Sequence, residues 1–324
     1  MRIHANDGIS KEAVQLLKEE GFTVTTEHVP QEQLAAFLRS AHAEALLVRS
    51  ATKVRQELID ACPGLKLIGR GGVGMDNIDV PYARSKGLRV VNTPASSSIS
   101  VAELVMAHLF SLMRDLYKSN RRMPAEGATA FKEMKKAYGN GTELRGKTLG
   151  VIGFGRIGRW VARYAIGAGM KVIYTDHHAV ADHLDIDLNG DTCRVGVKMV
   201  PLDELLAKSD AITLHVPANP DNSPVLGAAQ FAKMKRGMVV VNAARGGSIE
   251  EKALVAALKD GTVRGAGLDV FMNEPTPSAE LLGQPNVSLS PHIGAATVEA
   301  QDRIGMELAE QLIAWRDEVT VGRG

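Results

Sequence analysis

Short apolar runs alternate with longer amphipathic stretches along almost the whole chain. The stretches between the apolar runs carry apolar residues at helical spacing, as in "SKEAVQLLKEEG" and "PQEQLAAFLRSA". The predicted strands are RIHA, FTVTTEH, ALLVRS, LKLIGR and RVVNTP, followed later by TLGVIG, KVIYTD, AITLHVP, MVVVNAA, VRGAGLDV and NVSLSP. Strands separated by helices of this length indicate βαβ units, so the pattern predicts an α/β fold with parallel sheets covered on both faces.

The strands form two series that divide near residue 95, which predicts two doubly wound parallel-sheet domains. The junction "NTPASSSISVAELVMAHLFSLM" opens with small polar residues, and Ser100 followed by Glu103 predicts a capping box at a helix start. The helix that follows is apolar on more than one face. Such a helix is buried either within its own fold or by a partner chain.

A last helix is predicted over about Val298 to Trp315, after "SPHIGAAT". If it packs on the first domain, the chain crosses between domains twice. We therefore expect residues 98–292 to form a domain inserted into another, which is built from residues 1–97 and 293–324.

The segment "TLGVIGFGRIGRW" combines a strand, a glycine-rich turn and the start of a helix. Gly153, Gly155 and Gly158 form GxGxxG, in which the glycines permit a tight turn, a close approach of backbone to a diphosphate, and helix–strand packing. The next strand ends at Asp176, where a carboxylate accepts hydrogen bonds from a ribose diol and repels a 2′-phosphate. The alternative is a glycine turn that binds nothing. Because no arginine closely follows Asp176, the segment predicts NAD rather than NADP.

Three successive predicted strands are each followed by an ionisable residue: Arg245, Glu274 and His292. Ligands of open α/β sheets bind beyond the carboxyl ends of the strands, so these side chains are candidates for one site. Each alone has an ordinary explanation, as a surface cation, a turn residue before Pro275, or a structural histidine.

Together, these three residues suit hydride transfer from an alcohol carbon. A histidine can take the hydroxyl proton near neutral pH. A carboxylate on its other ring nitrogen orients the imidazole and favours its protonated form. A guanidinium can hold a substrate carboxylate or carbonyl with paired donors. We assign these three roles to His292, Glu274 and Arg245, in that order.

Composition excludes several classes of partner. The 324 residues carry a net charge of +1, with 38 basic and 37 acidic side chains, which gives no electrostatic case for nucleic acid or an acidic membrane. The only cysteines, Cys62 and Cys193, lie far apart, so we expect neither a disulfide framework nor a metal site. No apolar leader or run of roughly 18 apolar residues occurs, and a cytoplasmic protein is expected.

From about residue 43 to residue 303 the chain resembles the NAD-dependent D-2-hydroxyacid dehydrogenases. The matching pieces, in order, are "GRGGVGMDNIDV", "NTPASSSISVAEL", "GKTLGVIGFGRIGR", "NAARGGSIEEKALVAAL", "GAGLDVFMNEP" and "LSPHIGAATVEAQ". The resemblance implies that Arg245, Glu274 and His292 are catalytic. The formate dehydrogenase branch carries Gln at the position of Glu274 and is disfavoured. The resemblance further implies a Rossmann-type NAD domain inserted into a flavodoxin-like substrate domain, and a homodimer built around the helix that begins near Ser100.

The resemblance also implies two sets of ligand contacts. The expected cofactor contacts are Gly153, Gly155, Arg156, Ile157, Gly158, Asp176, His215, Val216, Pro217, Ala243, Ala244, Arg245, Asp269, His292 and Gly294. The expected substrate contacts are Arg49, Ser50, Lys53, Gly72, Val73, Gly74, Arg245 and His292.

Within the family, "LLVRSATKV" is most similar to the D-3-phosphoglycerate dehydrogenases. This similarity predicts that Arg49 and Lys53 receive a phosphate, although both could be solvated surface cations. The backbone of Gly71–Gly74 would offer an anion nest to the substrate carboxylate. Lys135 and Lys136 resemble a basic patch of the family, but their spacing to "GTELRGKTLG" is long, so no role is assigned to them.

The predicted activity is therefore NAD-dependent oxidation of D-3-phosphoglycerate to 3-phosphohydroxypyruvate in serine biosynthesis. The enzymatic alternative is a hydroxypyruvate or glyoxylate reductase. An alternative from another class is a dinucleotide-sensing interaction protein, like the related corepressors. Because the sequence ends shortly after Trp315, we expect no C-terminal regulatory module and no feedback inhibition through one.

Overall fold

The computed structural model of the protein describes residues 1–219 and 221–321. The chain divides into two compact units. One is Met1–Ser98 together with the stretch that begins at Ala295, and the other is Ile99–Gly294. These boundaries lie close to the predicted junctions, while substrate binding by the first unit stays a prediction.

The first unit contains a parallel sheet whose strands alternate with helices. Its strands are β1 (Arg2–Ala5), β2 (Thr23–Thr25), β3 (Ala45–Val48), β4 (Leu67–Arg70) and β5 (Arg89–Asn92), and its helices up to β5 are α1 (Lys11–Glu19), α2 (Gln31–Ser40), α3 (Gln56–Ala61) and α4 (Val80–Ser85). The strand order is β2-β1-β3-β4-β5, which is the flavodoxin-like order. The predicted architecture is confirmed.

The helices of this unit show how the sequence specifies their ends. Helix α1 begins after Ser10, whose side chain accepts a hydrogen bond from the Ala13 N–H. Ala13 and Leu17, four positions apart, are fully buried and fix the face that packs inward.

The second unit is a larger α/β fold. Its helices are α5 (Ser98–Met113), α6 (Leu116–Glu126), α7 (Phe131–Ala137), α8 (Arg156–Gly167), α9 (Leu202–Lys208), α10 (Ala228–Phe231), α11 (Glu251–Asp260) and α12 (Ala279–Leu282). Its strands are β6 (Thr148–Ile152), β7 (Lys171–Thr175), β8 (His183–Leu188), β9 (Asp191–Gly196), β10 (Lys198–Met199), β11 (Ala211–Leu214), β12 (Met238–Asn242), β13 (Val263–Leu268) and β14 (Val287–Leu289).

Seven of these strands form one sheet in the order β10-β7-β6-β11-β12-β13-β14, and all its pairings are parallel. The chain moves outward from β6 in both directions, so the order reverses between β6 and β11. In open α/β sheets this reversal opens a crevice at the carboxyl ends of the strands. The predicted Rossmann-type fold is confirmed, and the glycine turn follows the strand at the reversal.

Helix α5 begins earlier than predicted. The Ser98 N–H already donates to the Ala95 carbonyl, and Ser100 is the third residue of the helix, so the predicted capping box at Ser100 is wrong. Glu103 instead accepts a hydrogen bond from the Tyr164 hydroxyl at 3.3 Å. Most of the helix is buried within its own unit, although Phe110 remains 49% exposed.

An antiparallel hairpin, β8–β9, follows β7 and was not predicted. Its turn is Asn189-Gly190, and both residues have positive φ, at 56° and 94°. Asn-Gly between two alternating runs is a strong hairpin signal, so the sequence did carry the information. Cys193 lies exposed on β9, whereas Cys62 is buried in the first unit, and both thiols are free.

The last helix is α13 (Val298–Val321), and it belongs to the first unit. It packs against α1, where Gly305 lies so close to Ser10 that an added Cβ would meet the Ser10 hydroxyl oxygen at 2.4 Å. The first unit is therefore assembled from both ends of the chain. None of the helices in the described ranges has the length and apolar character needed to cross a bilayer.

Candidate active site

The glycine turn has the backbone geometry that a dinucleotide requires. Gly153 adopts φ +89°, and a Cβ there would meet the His215 carbonyl oxygen at 2.7 Å. A Cβ on Gly158 would meet the Gly153 oxygen at 2.2 Å, so only glycine allows α8 to pack this closely. Gly155, by contrast, faces open space directly before α8. Arg156 and Ile157 form the first turn of this helix, whose N–H groups and dipole favour a diphosphate.

Asp176 follows β7 and has a structural role that sequence analysis missed. Its Oδ2 accepts the Phe154 N–H at 2.7 Å, and its Oδ1 accepts the His177 N–H at 2.7 Å. The carboxylate thereby ties the end of β7 to the glycine turn. Because each carboxylate oxygen has two lone pairs, it can still accept hydrogen bonds from a ribose diol.

His215 continues β11 beside the glycine turn, and Val216 and Pro217 come next. Its N–H donates to the Ile152 carbonyl at 2.7 Å, and its Nε2 lies 2.9 Å from the Thr213 hydroxyl. Burial lowers the pKa of His215 to about 3, because the charged imidazolium is poorly solvated there. The histidine is therefore neutral at physiological pH, and its Nδ1 is buried without a hydrogen-bond partner in the described chain.

His292 and Glu274 form a hydrogen-bonded pair. His292 Nδ1 lies 2.7 Å from Glu274 Oε2, and the two side chains are 48% and 36% exposed. An ionised carboxylate only accepts hydrogen bonds, so Nδ1 carries the proton and Nε2 is the ring atom that can exchange one with a substrate. Glu274 Oε1 accepts the Phe271 N–H at 2.9 Å, which anchors the carboxylate to its own loop.

The loop that carries His292 is held by Asp269. His292 adopts a left-handed conformation with φ +55°, which is unusual for a residue with a side chain. The buried Asp269 carboxylate accepts the Ile293 N–H through Oδ1 and the Gly294 N–H through Oδ2, both at 2.8 Å, and the Ser290 hydroxyl at 2.6 Å. The structure thus gives Asp269, an expected cofactor contact, a second role in fixing this loop.

Arg245 stands in the turn after β12. The Asn242 side chain builds this turn, because its Oδ1 accepts the Ala244 N–H at 3.0 Å and its Nδ2 donates to the Arg245 carbonyl at 2.8 Å. Arg245 Nη1 donates to the Ala244 carbonyl at 2.7 Å. Asn242 was not predicted as a site residue, and Ala243 lies between it and Ala244 in the same turn.

Two sets of expected substrate contacts lie in the first unit. Arg49 and Ser50 line an open pocket of about 530 Å³, together with Asp7 and His28. Asp7 shapes this pocket, because its Oδ2 accepts the Arg49 N–H at 2.6 Å and its carboxylate also binds Thr52. The pocket lies where β1 and β3 end.

Lys53 is placed differently. Its backbone N–H and carbonyl pair with the Gln31 side chain, both at 2.9 Å, and within the described chain Lys53 is not part of the pocket lining. These contacts involve only the backbone of Lys53, and its role as a phosphate ligand stays a prediction.

The loop Gly72, Val73 and Gly74 follows β4. The Gly72 N–H donates to the Thr93 hydroxyl at 2.7 Å, so this donor is already used inside the protein. The Val73 carbonyl accepts from the Asn92 side chain at 2.7 Å. An anion nest in this loop would therefore depend on Val73 and Gly74.

The structure brings together the three proposed catalytic residues along one sheet edge. Arg245, Glu274 and His292 follow β12, β13 and β14, which are adjacent and parallel. Lys135 and Lys136 are exposed on α7.

Comparison with known proteins supports this assignment of the fold and the cofactor. The NAD binding domain of the D-isomer specific 2-hydroxyacid dehydrogenases matches residues 106–294. The chain is similar to the D-lactate dehydrogenase of Aquifex aeolicus, whose structure contains NAD and lactic acid. The TM-score is 0.77 and the identity 30%, over 98% of this chain and 96% of the other.

Two curated relatives differ in their named activity. A hydroxypyruvate reductase of Thermotoga maritima is 43% identical over 96% of this chain and 97% of its own length. A D-3-phosphoglycerate dehydrogenase of Methanocaldococcus jannaschii is 41% identical over 96% of this chain. The chain spans only 57% of the length of that second relative.

Proposed function

Because the chain belongs to the D-isomer specific 2-hydroxyacid dehydrogenase family, we propose that it oxidises D-3-phosphoglycerate to 3-phosphohydroxypyruvate. The observation that carries this proposal is the pocket containing Arg49 and Ser50, a cation and a hydroxyl that suit a phosphate. The proposed role is a step of serine biosynthesis in the cytoplasm.

The proposed proton acceptor is His292. With Nδ1 bound to Glu274, Nε2 takes the proton of the substrate hydroxyl during oxidation and returns it during reduction. The Glu274 carboxylate orients the ring and stabilises the imidazolium that forms. When bound, NAD supplies the nicotinamide ring that accepts the hydride from the carbon bearing the hydroxyl group.

The proposed anchor for the reacting end of the substrate is Arg245. Its guanidinium offers paired donors to the substrate carboxylate and polarises the carbonyl oxygen as it forms. The turn built by Asn242 fixes the backbone from which this side chain extends.

The proposed phosphate ligands are Arg49 and Ser50. Asp7 fixes the backbone of this loop through the Arg49 N–H, and its interactions with Thr52 satisfy further acceptor positions of the carboxylate. His28 lines the same pocket, where its Nδ1 donates to the Asn6 carbonyl at 3.1 Å.

The second candidate is hydroxypyruvate reduction. It is favoured by the relative from Thermotoga maritima, which is 43% identical and matched over 97% of its length. An unphosphorylated keto acid would need Arg245 and His292 but no cation in the first unit. The two candidates therefore differ in what Arg49 contributes.

A dinucleotide-sensing interaction protein is the alternative from another class. Such a protein needs the glycine turn but not a paired histidine and carboxylate. The His292–Glu274 pair therefore favours an enzyme. NADH-dependent turnover of any 2-keto acid would separate the classes.

The experiment that tests the substrate compares specificity for D-3-phosphoglycerate and D-glycerate in wild type and Arg49→Ala. Loss of a hydrogen bond to a charged group weakens binding by roughly 1.5–3 kcal/mol, about 10- to 150-fold. We expect a large wild-type ratio that collapses in Arg49→Ala. Lys86→Ala, which removes a cation outside the pocket, should keep the wild-type specificity ratio. A wild-type ratio near one would contradict the phosphate assignment and favour the second candidate.

A further inference from the structure

A buried histidine in α5 connects to the loop that carries His292. His108 is only 5% exposed, and both of its ring nitrogens are hydrogen bonded. Nδ1 lies 2.9 Å from the Ser288 hydroxyl, and Nε2 lies 3.0 Å from the Ser290 hydroxyl. The helix approaches β13 so closely that a Cβ on Gly267 would meet the His108 Cβ at 2.8 Å. This close approach brings the imidazole ring beside β14.

The direction of each hydrogen bond in this network can be deduced. Ser290 has one hydroxyl proton and donates it to Asp269 Oδ1 at 2.6 Å. Its oxygen must therefore accept from His108, which places the ring proton on Nε2. Burial lowers the pKa of His108 and keeps the ring neutral, so Nδ1 accepts from the Ser288 hydroxyl. All three hydrogen bonds then point towards Asp269.

Asp269 is where this network meets the candidate site. Its two oxygens also accept the Ile293 and Gly294 N–H groups, on the C-terminal side of His292. Ser290 lies two residues before His292. The loop is thus held on both sides of His292, whose left-handed backbone would otherwise favour relaxation to a more common conformation.

We propose that His108 is a positioning residue for His292, acting through the hydrogen-bonded chain His108–Ser290–Asp269. By donating from Nε2, His108 keeps the Ser290 proton directed at Asp269. Asp269 in turn holds the backbone that aims the His292 ring at Glu274 and at the substrate. This inference rests on the proposed catalytic role of His292. A leucine at position 108 would fill a similar volume without needing polar partners, so the hydrogen bonds, rather than the packing, are what His108 adds.

The test combines two variants that break the chain at different links. His108→Leu removes the donor but keeps the bulk, and Ser290→Ala removes only one hydroxyl. We expect each to lower kcat for NADH-dependent keto-acid reduction about tenfold. Each should leave KM for the keto acid close to wild type, because substrate binding is assigned to Arg245 and proton transfer to His292. His108→Gln, which can still donate to Ser290, should recover part of the rate.

A matched control is Ser209→Ala, which removes another fully buried serine hydroxyl of the same unit, bonded to the Leu205 carbonyl at 2.7 Å. It should leave kcat and KM unchanged. Wild-type kcat in both His108→Leu and Ser290→Ala would overturn the inference. The same would follow if Ser209→Ala reproduced their effects, since general core damage would then explain them.

His292→Ala separates this inference from the proposed function. If His292→Ala is inactive while His108→Leu and Ser290→Ala match wild type, the inference fails alone. If His292→Ala retains turnover, the proposed catalytic role fails, and the inference fails with it.

Discussion

Replacing Glu274 with Gln isolates the charge in the proposed acid–base pair. Glu274 uses both carboxylate oxygens as acceptors, one for the Phe271 N–H and one for His292 Nδ1. Glutamine has a single acceptor oxygen, so it can satisfy only one of these two donors. If the glutamine oxygen stays bonded to the Phe271 N–H, the glutamine NH₂ group faces His292 Nδ1. That donor favours the tautomer of His292 in which Nε2, and not Nδ1, carries the proton.

The size of the effect follows from the distance and the exposure of the pair. Both charges are spread over several atoms, so their centres lie farther apart than the 2.7 Å between Nδ1 and Oε2. Unit charges about 4 Å apart interact by about 1 kcal/mol in water and about 4 kcal/mol at the effective dielectric constant near a protein surface. The side chains are 48% and 36% exposed, which places the pair in the lower part of that range. Exposed ion pairs contribute at most about 1 kcal/mol because water screens them, which corresponds to roughly a fivefold change in rate.

The assay is kcat/KM for keto-acid reduction by NADH at one neutral pH. Reduction needs a proton on His292 Nε2, so losing the anion that stabilises the imidazolium should lower kcat/KM roughly fivefold. Glu251→Gln is the control, because Glu251 accepts the Met272 N–H at 2.9 Å and supports the same loop. An unchanged kcat/KM in Glu274→Gln, or an equal loss in Glu251→Gln, would refute the reasoning.

Three further predictions follow from the second unit. We expect the specificity constant of wild type to be about 100-fold higher with NAD than with NADP, a difference of roughly 2.7 kcal/mol. Asp176→Ala should lower this ratio, and equal specificity constants in wild type would contradict the prediction. Because burial lowers the folded-state pKa of His215 to about 3, the unfolded chain binds the extra proton below pH 6.5. The free energy of unfolding, measured by denaturant titration, should therefore fall by about 2 kcal/mol from pH 7 to pH 5. His215→Asn should make this fall smaller, whereas His177→Asn, at an exposed position, should leave it unchanged. Phe110→Glu should dissociate the proposed homodimer in sedimentation analysis. Val298→Glu, at a site that is 75% exposed, should leave it intact. A wild type that sediments as a monomer would contradict the proposed dimer.

Much of the fold could be predicted because buried parallel strands have a strong sequence signal. Strands such as β3 and β12 are buried at every position and read as unbroken apolar runs. The predicted family and cofactor are likewise confirmed. The hairpin β8–β9 was missed, although Asn189-Gly190 marks its turn, because its strands are mostly exposed and its apolar positions are sparse.

In the candidate site, too, some features could be predicted from the sequence and others could not. Arg245, Glu274 and His292 could be proposed from the sequence because each directly follows a predicted strand or lies a few residues beyond it. The predicted start of α5 was misplaced because Ser96, Ser97 and Ser98 all suit the N-terminal end of a helix. Only the three-dimensional contacts distinguish among them.

The hydrogen bonds that Asp269 and His108 make could not be predicted from the sequence. Their partners, Ser290 and the amides of residues 293 and 294, lie far away in sequence, so folding alone brings them together. Periodicity detects which face of an element is buried, but it does not detect hydrogen bonds between elements.

The most direct test of the central claim compares NADH oxidation by wild type and His292→Ala with hydroxypyruvate and 3-phosphohydroxypyruvate. NADH binding is followed in parallel by fluorescence titration. We predict that wild type reduces at least one of the two keto acids. His292→Ala should lose about 10²- to 10⁴-fold in kcat, the usual contribution of general acid–base catalysis, while it binds NADH as wild type does. Wild-type inactivity with both keto acids, or turnover by His292→Ala within a few-fold of wild type, would contradict the account.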